Sequence, residues 1–365
     1  MKKRLICLAL VLCLAASLGC VAFADNNPLF SLTTNGGKEI STLKMPQYLL
    51  GTFDPLIADY PEEAAEIVEE AKEYYPLVYF TSDISAEALV NIYRALGWEA
   101  DGKTAVKIST GENGSNYLRP ELIADLVHEV DGTIVECNTA YDYTGDRDTS
   151  AAHWKLIEEH GFLNIAPCDI MDEEGTLSLP ARDNFTRLDE NIVGSHFANY
   201  DSFIVLSHFK GHAMAGFGGA IKNASIGIAA APEGKKYIHT GGNSKTEWMD
   251  ELVDEFQEAM AEATMTVSDA LGEGKNVVYI NVLNRVSIDC DCDPNPSEPD
   301  IHDIGIMAST DPVALDQASV DIASLMDGSG RLMYRIADRH GFVSLEHAEE
   351  IGLGSRTYLL ECIDS

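Results

Sequence analysis

The sequence is short of positive charge. Its 365 residues include 25 Lys and Arg against 59 Asp and Glu, a formal net charge of −34 at pH 7. A field of that sign repels phosphate backbones and excludes nucleic acid as a partner. Long hydrophobic runs are also missing: beyond Leu18 no apolar stretch approaches the roughly 18 residues of a membrane span, so no spanning helix is expected. There is no Cys-x-x-Cys-x-x-Cys-x-x-x-Cys run, which argues against a conventional four-iron cluster. A Walker A loop and a dinucleotide fingerprint are absent as well, because Ile221 stands where each pattern needs a small residue. Wholesale disorder is excluded by a hydrophobic content of 45%.

What is present begins with a leader. Lys2, Lys3 and Arg4 precede an apolar stretch from Leu5 to about Leu18, and Ala22-Phe23-Ala24 is a small-x-small cleavage site. Residues 1–24 therefore read as a signal peptide, and the protein as exported to a periplasmic, cell-surface or extracellular location. A lipoprotein junction at Gly19-Cys20 fits less well, since Ser17 and Leu18 do not match its usual Leu-then-small order. Removing the leader leaves Cys137, Cys168, Cys290, Cys292 and Cys362. An odd number of cysteines in a chain of this length is no disulfide scaffold.

The body alternates strand and helix patterns. Strands are expected at Leu77–Phe80, Ala105–Ser109, Thr133–Cys137, Ser202–Leu206, Asn276–Val282 and Ile304–Ala308. Helices are expected at Pro61–Lys72, Ser85–Leu96 (capped by Ser85), Pro120–Val130, Ser150–His160, Thr246–Leu271 and Val313–Met326. That order predicts an α/β fold, a mostly parallel sheet with helices on both faces, in one core or two lobes. Residues 25–76 read as an irregular and helical arm, 77–330 as the main domain and 331–365 as a helical extension. Residues 172–195 show no regular pattern.

Three segments carry chemistry. The first, Ser207 to Asn223, follows an apolar strand and holds His208, Lys210, His212, Lys222 and Asn223 among Gly211, Gly216, Gly218 and Gly219. In open α/β sheets ligands bind beyond the carboxyl ends of strands, where glycines let the backbone approach closely. The bland reading is a tight turn with solvated Lys and His. The second is Asp289-Cys290-Asp291-Cys292-Asp293, followed by His302 and Asp303. In an extended chain its cysteines share one face and its aspartates the other, so a soft or a hard metal could be held; the alternative is an acidic loop with free or disulfide-linked thiols. It is not an EF-hand, because Pro294 takes the place of the required Gly. The third runs from Lys107 to Arg119 and Pro120, a strand end, a polar loop and a helix start where Arg119 could meet an anion. Glu136 and Asn138 end a neighbouring strand on the same rim.

In order along the chain, GKTAVKISTGENGSNYLRPEL, DGTIVECNTAY, YDSFIVLSHFKGHAMAGFGGAIKNASIGIA, GKKYIHTGG and CDCDPNPSEPDIHDIGIMASTDPVALDQASVDI resemble the family called domain of unknown function 362. Many of its members add a ferredoxin-like insert and are labelled iron–sulfur proteins; this chain has no such insert. More distantly, His212 through Lys222, followed by His239, is similar to the core of nickel-pincer lactate racemases. That resemblance implies Lys222 as the anchor of a pincer cofactor, His239 as a nickel ligand and His212 as an acid/base. Gly218 and Ile221 stand where that family has Ser and Arg.

The candidate site is therefore His212 and Lys222 for catalysis; Lys210, Gly216, Gly218, Gly219, Lys222, Asn223 and Arg119 for cofactor contact; and His208, His239, Cys290 and Cys292 for a metal. The cofactor is not identified, with a metal ion among the candidates. The partner is a small molecule or a metal. Two functions follow from these residues: a metal- or cofactor-dependent redox or isomerising protein, or a binding module for a small anion. The leader gives the first test. The mature amino terminus is expected at Asp25, and intact-mass analysis finding a lipid on Cys20 would overturn that expectation.

Overall fold

The computed structural model describes residues 72–141, 145–249, 253–299 and 301–364, together with the backbone of three short strands nearer the amino terminus. The leader, its cleavage site and the helix expected over Pro61–Lys72 lie outside the described residues, save Lys72.

Two of those early strands, β1 (Leu32–Thr33) and β2 (Glu39–Ile40), pair antiparallel with each other. The third, β3 (Tyr48–Leu50), belongs to the central sheet. The other members of that sheet are β4 (Leu77–Thr81), β5 (Thr104–Lys107), β6 (Thr133–Glu136), β7 (Cys168–Ile170), β10 (Ser202–His208), β13 (Val277–Leu283), β14 (Gly305–Ser309) and β15 (Leu359–Cys362). Their order across the sheet is β3-β15-β4-β14-β13-β10-β5-β6-β7. Pairing is parallel throughout except on both sides of β14, which runs antiparallel to β13 and β4.

Successive residues of one strand feed opposite cores, as the two-residue period of a strand requires. Phe203 and Val205 of β10 join the core on one face, Ile204 and Leu206 the core on the other. Helices α1 (Ala86–Ala95), α2 (Pro120–Glu129) and α3 (Ser150–Glu159) cover the second face. The first is covered by α4 (Ala220–Ser225), α5 (Glu233–His239), α6 (Val253–Ala270), α7 (Pro312–Met326), α8 (Arg331–Asp338) and α9 (Phe342–Glu350). Local signals fix several of these ends. Ser85 Oγ accepts Ala88 N at 3.1 Å, and Asp311 accepts Val313 N and Ala314 N at 2.8 and 2.9 Å ahead of Pro312.

The α/β expectation holds, and several details differ. The segment 172–195 contains an antiparallel pair, β8 (Thr176–Pro180) with β9 (Glu190–Gly194). Two short helices, α4 and α5, precede the long one, and residues 246–249 are not helical, so α6 starts later than Thr246. The carboxyl-terminal extension is only partly helical. Its last strand, β15, is inserted between β3 and β4 and so completes the sheet.

Chain order reverses at β5. From it β6 and β7 extend the sheet one way, then the chain returns to lay β10 on the other side of β5 and β13 beyond. Such a switch point leaves a crevice at the carboxyl ends of the two diverging strands. Over that crevice β10 passes into a small antiparallel hairpin, β11 (Lys210–His212) with β12 (Gly216–Gly218), and then into α4. The start of α4 is fixed from α7: the buried Asp316 carboxylate accepts Ala220 N at 2.7 Å, Ile221 N at 2.9 Å and Asn281 Nδ2 at 2.8 Å. A methyl group on Gly219 would lie 2.3 Å from Asp316 Oδ1, so only glycine admits this approach. Burial raises the Asp316 carboxyl to about 6. Asp316→Ala would strand three buried donors, and we expect a loss of about 3 kcal/mol in urea unfolding; a loss under about 1 kcal/mol would show that the contact does not hold α4.

Candidate functional site

A cavity of about 120 Å³, room for several waters, opens at the switch point. Its wall takes Lys107 from the end of β5, Glu136 from β6, Ser207 and His208 from β10, Lys210 and His212 from β11, and Lys222 from α4. It also takes Arg147 from the loop after β6, Lys235 and His239 from α5, and Cys290, Asp291 and Cys292 from the loop after β13. Five cations thus face two carboxylates, Glu136 and Asp291.

Most of these charges are matched. Arg147 donates to Glu112 Oε1 through Nη2 at 2.7 Å and to Glu136 Oε1 through Nη1 at 3.1 Å. The second Glu136 oxygen accepts Thr110 N and Thr110 Oγ1 at 2.7 and 2.6 Å. Burial alone would push the Glu136 carboxyl up, but Arg147 and Lys107 hold it well below the carboxylate range. Fully buried Lys107 is drawn down to about 8 by burial, with Glu136 at 3.9 Å opposing the shift. Its Nζ donates to Ile108 O and Asn223 Oδ1. Asn223 in turn donates to Lys107 O, Leu206 O and Ser207 Oγ, so it ties β5, β10 and α4 together.

On the opposite wall Asp291 is buried between His208 Nδ1 at 2.9 Å and Lys210 Nζ at 2.9 Å. Burial works against its charge, yet His208 and Lys210 hold the carboxyl well below its ordinary value. The loop that carries Asp291 lies against the hairpin: Gly211 N donates to Ser287 O at 2.7 Å, and a methyl on Gly211 would fall 2.3 Å from Ile288 O.

Lys222 is different. Half-buried, it has no hydrogen bond or ion pair with an acid among the described residues. A methyl on Gly218 would lie 3.6 Å from Lys210 Cε and 3.7 Å from Lys222 Cδ, so both lysine chains run past one glycine. Burial, then the charges of Lys210, Lys235, Lys107 and Arg147, bring Lys222 from an ordinary 10.5 down to about 7.

The histidines are fixed in distinct forms by their partners. His212 Nδ1 accepts Met214 N at 3.1 Å and Ala215 N at 2.9 Å, so its proton sits on Nε2. Burial and the neighbouring Lys222 keep it neutral, with a value well below the ordinary one. His239 is the reverse: Nδ1 donates to Lys235 O at 2.7 Å, which leaves the Nε2 lone pair free. Its ring stacks on Phe256 and meets the edge of Trp248, and burial lowers it to about 3.

Among the residues expected from sequence, His208, Lys210, His212, Gly218, Gly219, Lys222, Asn223, His239, Cys290 and Cys292 meet at this one cavity. Three expectations need correction. Arg119 lies elsewhere, with its guanidinium 3.9 Å over the Tyr117 ring and Nη2 donating to Ser115 O. Gly216 serves the hairpin's packing, with φ of 80° and Ile336 Cα 3.0 Å from where a Cβ would stand. His208 has no lone pair for a metal, because Nδ1 faces Asp291 and Nε2 faces Asn284 O at 2.7 Å, both acceptors. The helix amino end is likewise closed to an anion, since Asp316 takes the first two N–H groups of α4.

Arg147 and Lys235 are cavity residues to which the sequence does not point, and Lys107 enters there only as the first residue of the third segment. A charged residue closing an apolar strand was the available signal for Lys107; Arg147 and Lys235 carry none that is local.

His212, Cys290 and Cys292 offer ligand atoms within 4.8 Å of one another. Their state does not fit a metal: the two sulfurs are joined in a disulfide, and His212 Nδ1 is taken by two backbone donors while Nε2 holds the proton. The same hydrogen bonds disagree with His212 as the base of a nickel-pincer site, although Lys222 and His239 offer an amine and a lone pair.

Residues 104–321, more than half of the chain, match the family described as Domain of unknown function (DUF362). No curated protein matches the sequence. The lactate racemase apoprotein from Thermoanaerobacterium thermosaccharolyticum is similar in structure over 66% of this chain and 56% of its own, at 13% identity and a TM-score of 0.38. A structural-genomics target protein from Thermotoga maritima is similar over 66% of this chain and 58% of its own, at 12% identity and a TM-score of 0.37. This chain spans less than two thirds of either structure's length.

The state of Lys222 is directly measurable. Since its folded value of about 7 lies below the ordinary 10.5, the folded chain binds fewer protons than the unfolded chain between those two values, and this group's contribution to stability rises with pH across that window. In ¹³C-methylated protein one lysine resonance is expected to titrate near pH 7 and to vanish in Lys222→Met. A midpoint above about 9.5 would refute the assignment.

Proposed function

The chain belongs to the family described as Domain of unknown function (DUF362), and we propose that it is an exported protein that binds a small organic acid or phosphate in the cavity at the sheet's switch point. One observation carries this reading: Lys222 stands in a wall of five cations and two carboxylates with no acid of its own. An ammonium group in that position is costly, which is why its proton is held so weakly. An incoming carboxylate or phosphate would supply the missing charge. His212 Nε2–H adds a neutral donor and His239 Nε2 an acceptor, so the wall can orient a hydroxy or oxo group next to the acid.

The rival reading is a metal centre built on His212, Cys290 and Cys292. It needs the disulfide opened and the His212 proton moved to a nitrogen already occupied. The anion reading needs neither change. Export is supported by the leader, and a disulfide between Cys290 and Cys292 suits an oxidising compartment.

Because the anion would be bound by the ammonium form, its affinity should fall as pH rises through about 7, and binding at pH 8 should take up about one proton. Calorimetry with inorganic phosphate, glycolate and succinate, in buffers of differing ionisation enthalpy, measures both. We expect affinity for at least one of these acids to drop about tenfold between pH 6.5 and 8.5, and Lys222→Met to lose about tenfold at pH 6.5. Equal affinity in wild type and Lys222→Met, with no proton uptake, would overturn the reading.

A further inference from the structure

The disulfide between Cys290 and Cys292 closes across the single residue Asp291, and all three residues face the cavity. A cross-link between positions two apart constrains very little of the unfolded chain, so fold stabilisation is a poor account of it. Its surroundings suit chemistry instead. Asp291, between the sulfurs, is fixed by His208 and Lys210, and its carbonyl accepts Glu112 N at 2.9 Å. That frame would hold the two cysteines together after the S–S bond opened, ready to close again. Cys290 is 7% exposed and Cys292 half-buried, so Cys292 is the sulfur open to attack. Cys292 N donates to Cys290 Sγ at 3.1 Å, a hydrogen bond that would strengthen on a thiolate. Lys222 and the Lys210 chain flank the same space.

We propose that Cys290–Cys292 is a redox-active disulfide that exchanges with small thiols carrying an acid group. This rests on the anion-binding reading of the cavity and specifies its substrate class. The acid group pairs with Lys222 while the thiol, as thiolate, attacks Cys292 Sγ. A bond forms between the substrate sulfur and Cys292, the Cys290–Cys292 bond breaks, and Cys290 leaves with the electron pair, held by Cys292 N–H. A second thiolate attacks the substrate sulfur of the mixed disulfide, forming the substrate disulfide and releasing Cys292 as thiolate. Two thiols are oxidised, the protein disulfide gains two electrons, and the two protons that the thiols give up go to the cysteine sulfurs or to water. Run backwards, the same steps would reduce a small acidic disulfide.

The test uses the full mature chain, oxidised and folded, with mercaptoacetate, 2-mercaptoethanol and cysteamine as anionic, neutral and cationic thiols. Alkylation and peptide mass spectrometry count the thiols released at 290 and 292, with rates compared per thiolate and circular dichroism recorded throughout. We expect reduction without unfolding, fastest with mercaptoacetate and slowest with cysteamine, over a range of about tenfold or more. Lys222→Met should narrow that range to about threefold or less, and Lys222→Arg, which keeps the charge, should restore it. A disulfide that opens only in denaturant, or rates indifferent to thiol charge, would overturn the proposal. If the disulfide is inert while phosphate or glycolate still binds in a Lys222-dependent way, the thiol inference fails and the anion site stands. If neither occurs, both fail.

Discussion

The buried carboxylate of Asp291 is the contact on which the pocket is built. His208 and Lys210 lie two residues apart at the end of β10 and the start of β11, both buried, and the Lys210 charge could not sit there without a counter-ion. Removing one partner of such a buried set leaves an uncompensated charge, which costs several kcal/mol. Asp291 also joins the walls mechanically. Its side chain holds the hairpin, its carbonyl accepts Glu112 N from the loop after β5, and Glu112 receives Arg147 from the loop after β6. Strand ends that the sheet only brings close are thereby fixed relative to one another.

Against that matched set, the unmatched lysine is informative. A chain with 59 acidic residues has no shortage of carboxylates to place beside Lys222. Lys235, another pocket cation without an acid at contact distance among the described residues, donates to Ile226 O and so is at least hydrogen-bonded. The outer surface and the pocket act at different ranges. The exterior charge repels an approaching anion over distances comparable to the Debye length, about 8 Å at physiological salt. Contacts of 3–4 Å inside a partly desolvated wall then decide how tightly the anion stays. Net charge alone therefore excludes a polyanion that must lie along the surface, while saying little about a small acid that enters the cavity.

Much of the fold was legible because its buried strands are continuous apolar runs and its helices carry caps and periodicity, as at Ser202–His208 and Ser85. What stayed hidden depends on tertiary partners. The strand β15 has only four residues and becomes a strand by lying between β3 and β4. The helix α4 has only six, and its start is set by a carboxylate 96 positions away in the chain. The site was legible where residue types cluster locally, in the segment from Ser207 to Asn223 and in the Cys-Asp-Cys loop. It was misread where a local cue competed with the fold. Arg119, beside a Pro-initiated helix, looked like the anion contact, but its guanidinium lies on Tyr117, and Arg147, from an acidic loop with no pattern around it, reaches the cavity instead.

Protonation states were the least legible of all, because they are decided by the atoms each ring nitrogen meets. His212 and His239 are the same residue type on the same wall, yet one faces the cavity with a proton and the other with a lone pair. Neither changes charge near neutral pH: two backbone donors occupy His212 Nδ1, and His239 is held at about 3. Lys107, at about 8, is fully buried and bound to Ile108 O and Asn223. Lys222 is therefore a group whose charge is both open to the cavity and poised to change at neutral pH. Any anion that enters raises the proton affinity of that amine, and any rise in pH weakens the anion's hold. The coupling needs no moving part, since it follows from leaving Lys222 with neither a carboxylate nor a carbonyl partner among the described residues, in a wall where Arg147, Lys107 and Lys210 each have a carboxylate and Lys235 donates to Ile226 O.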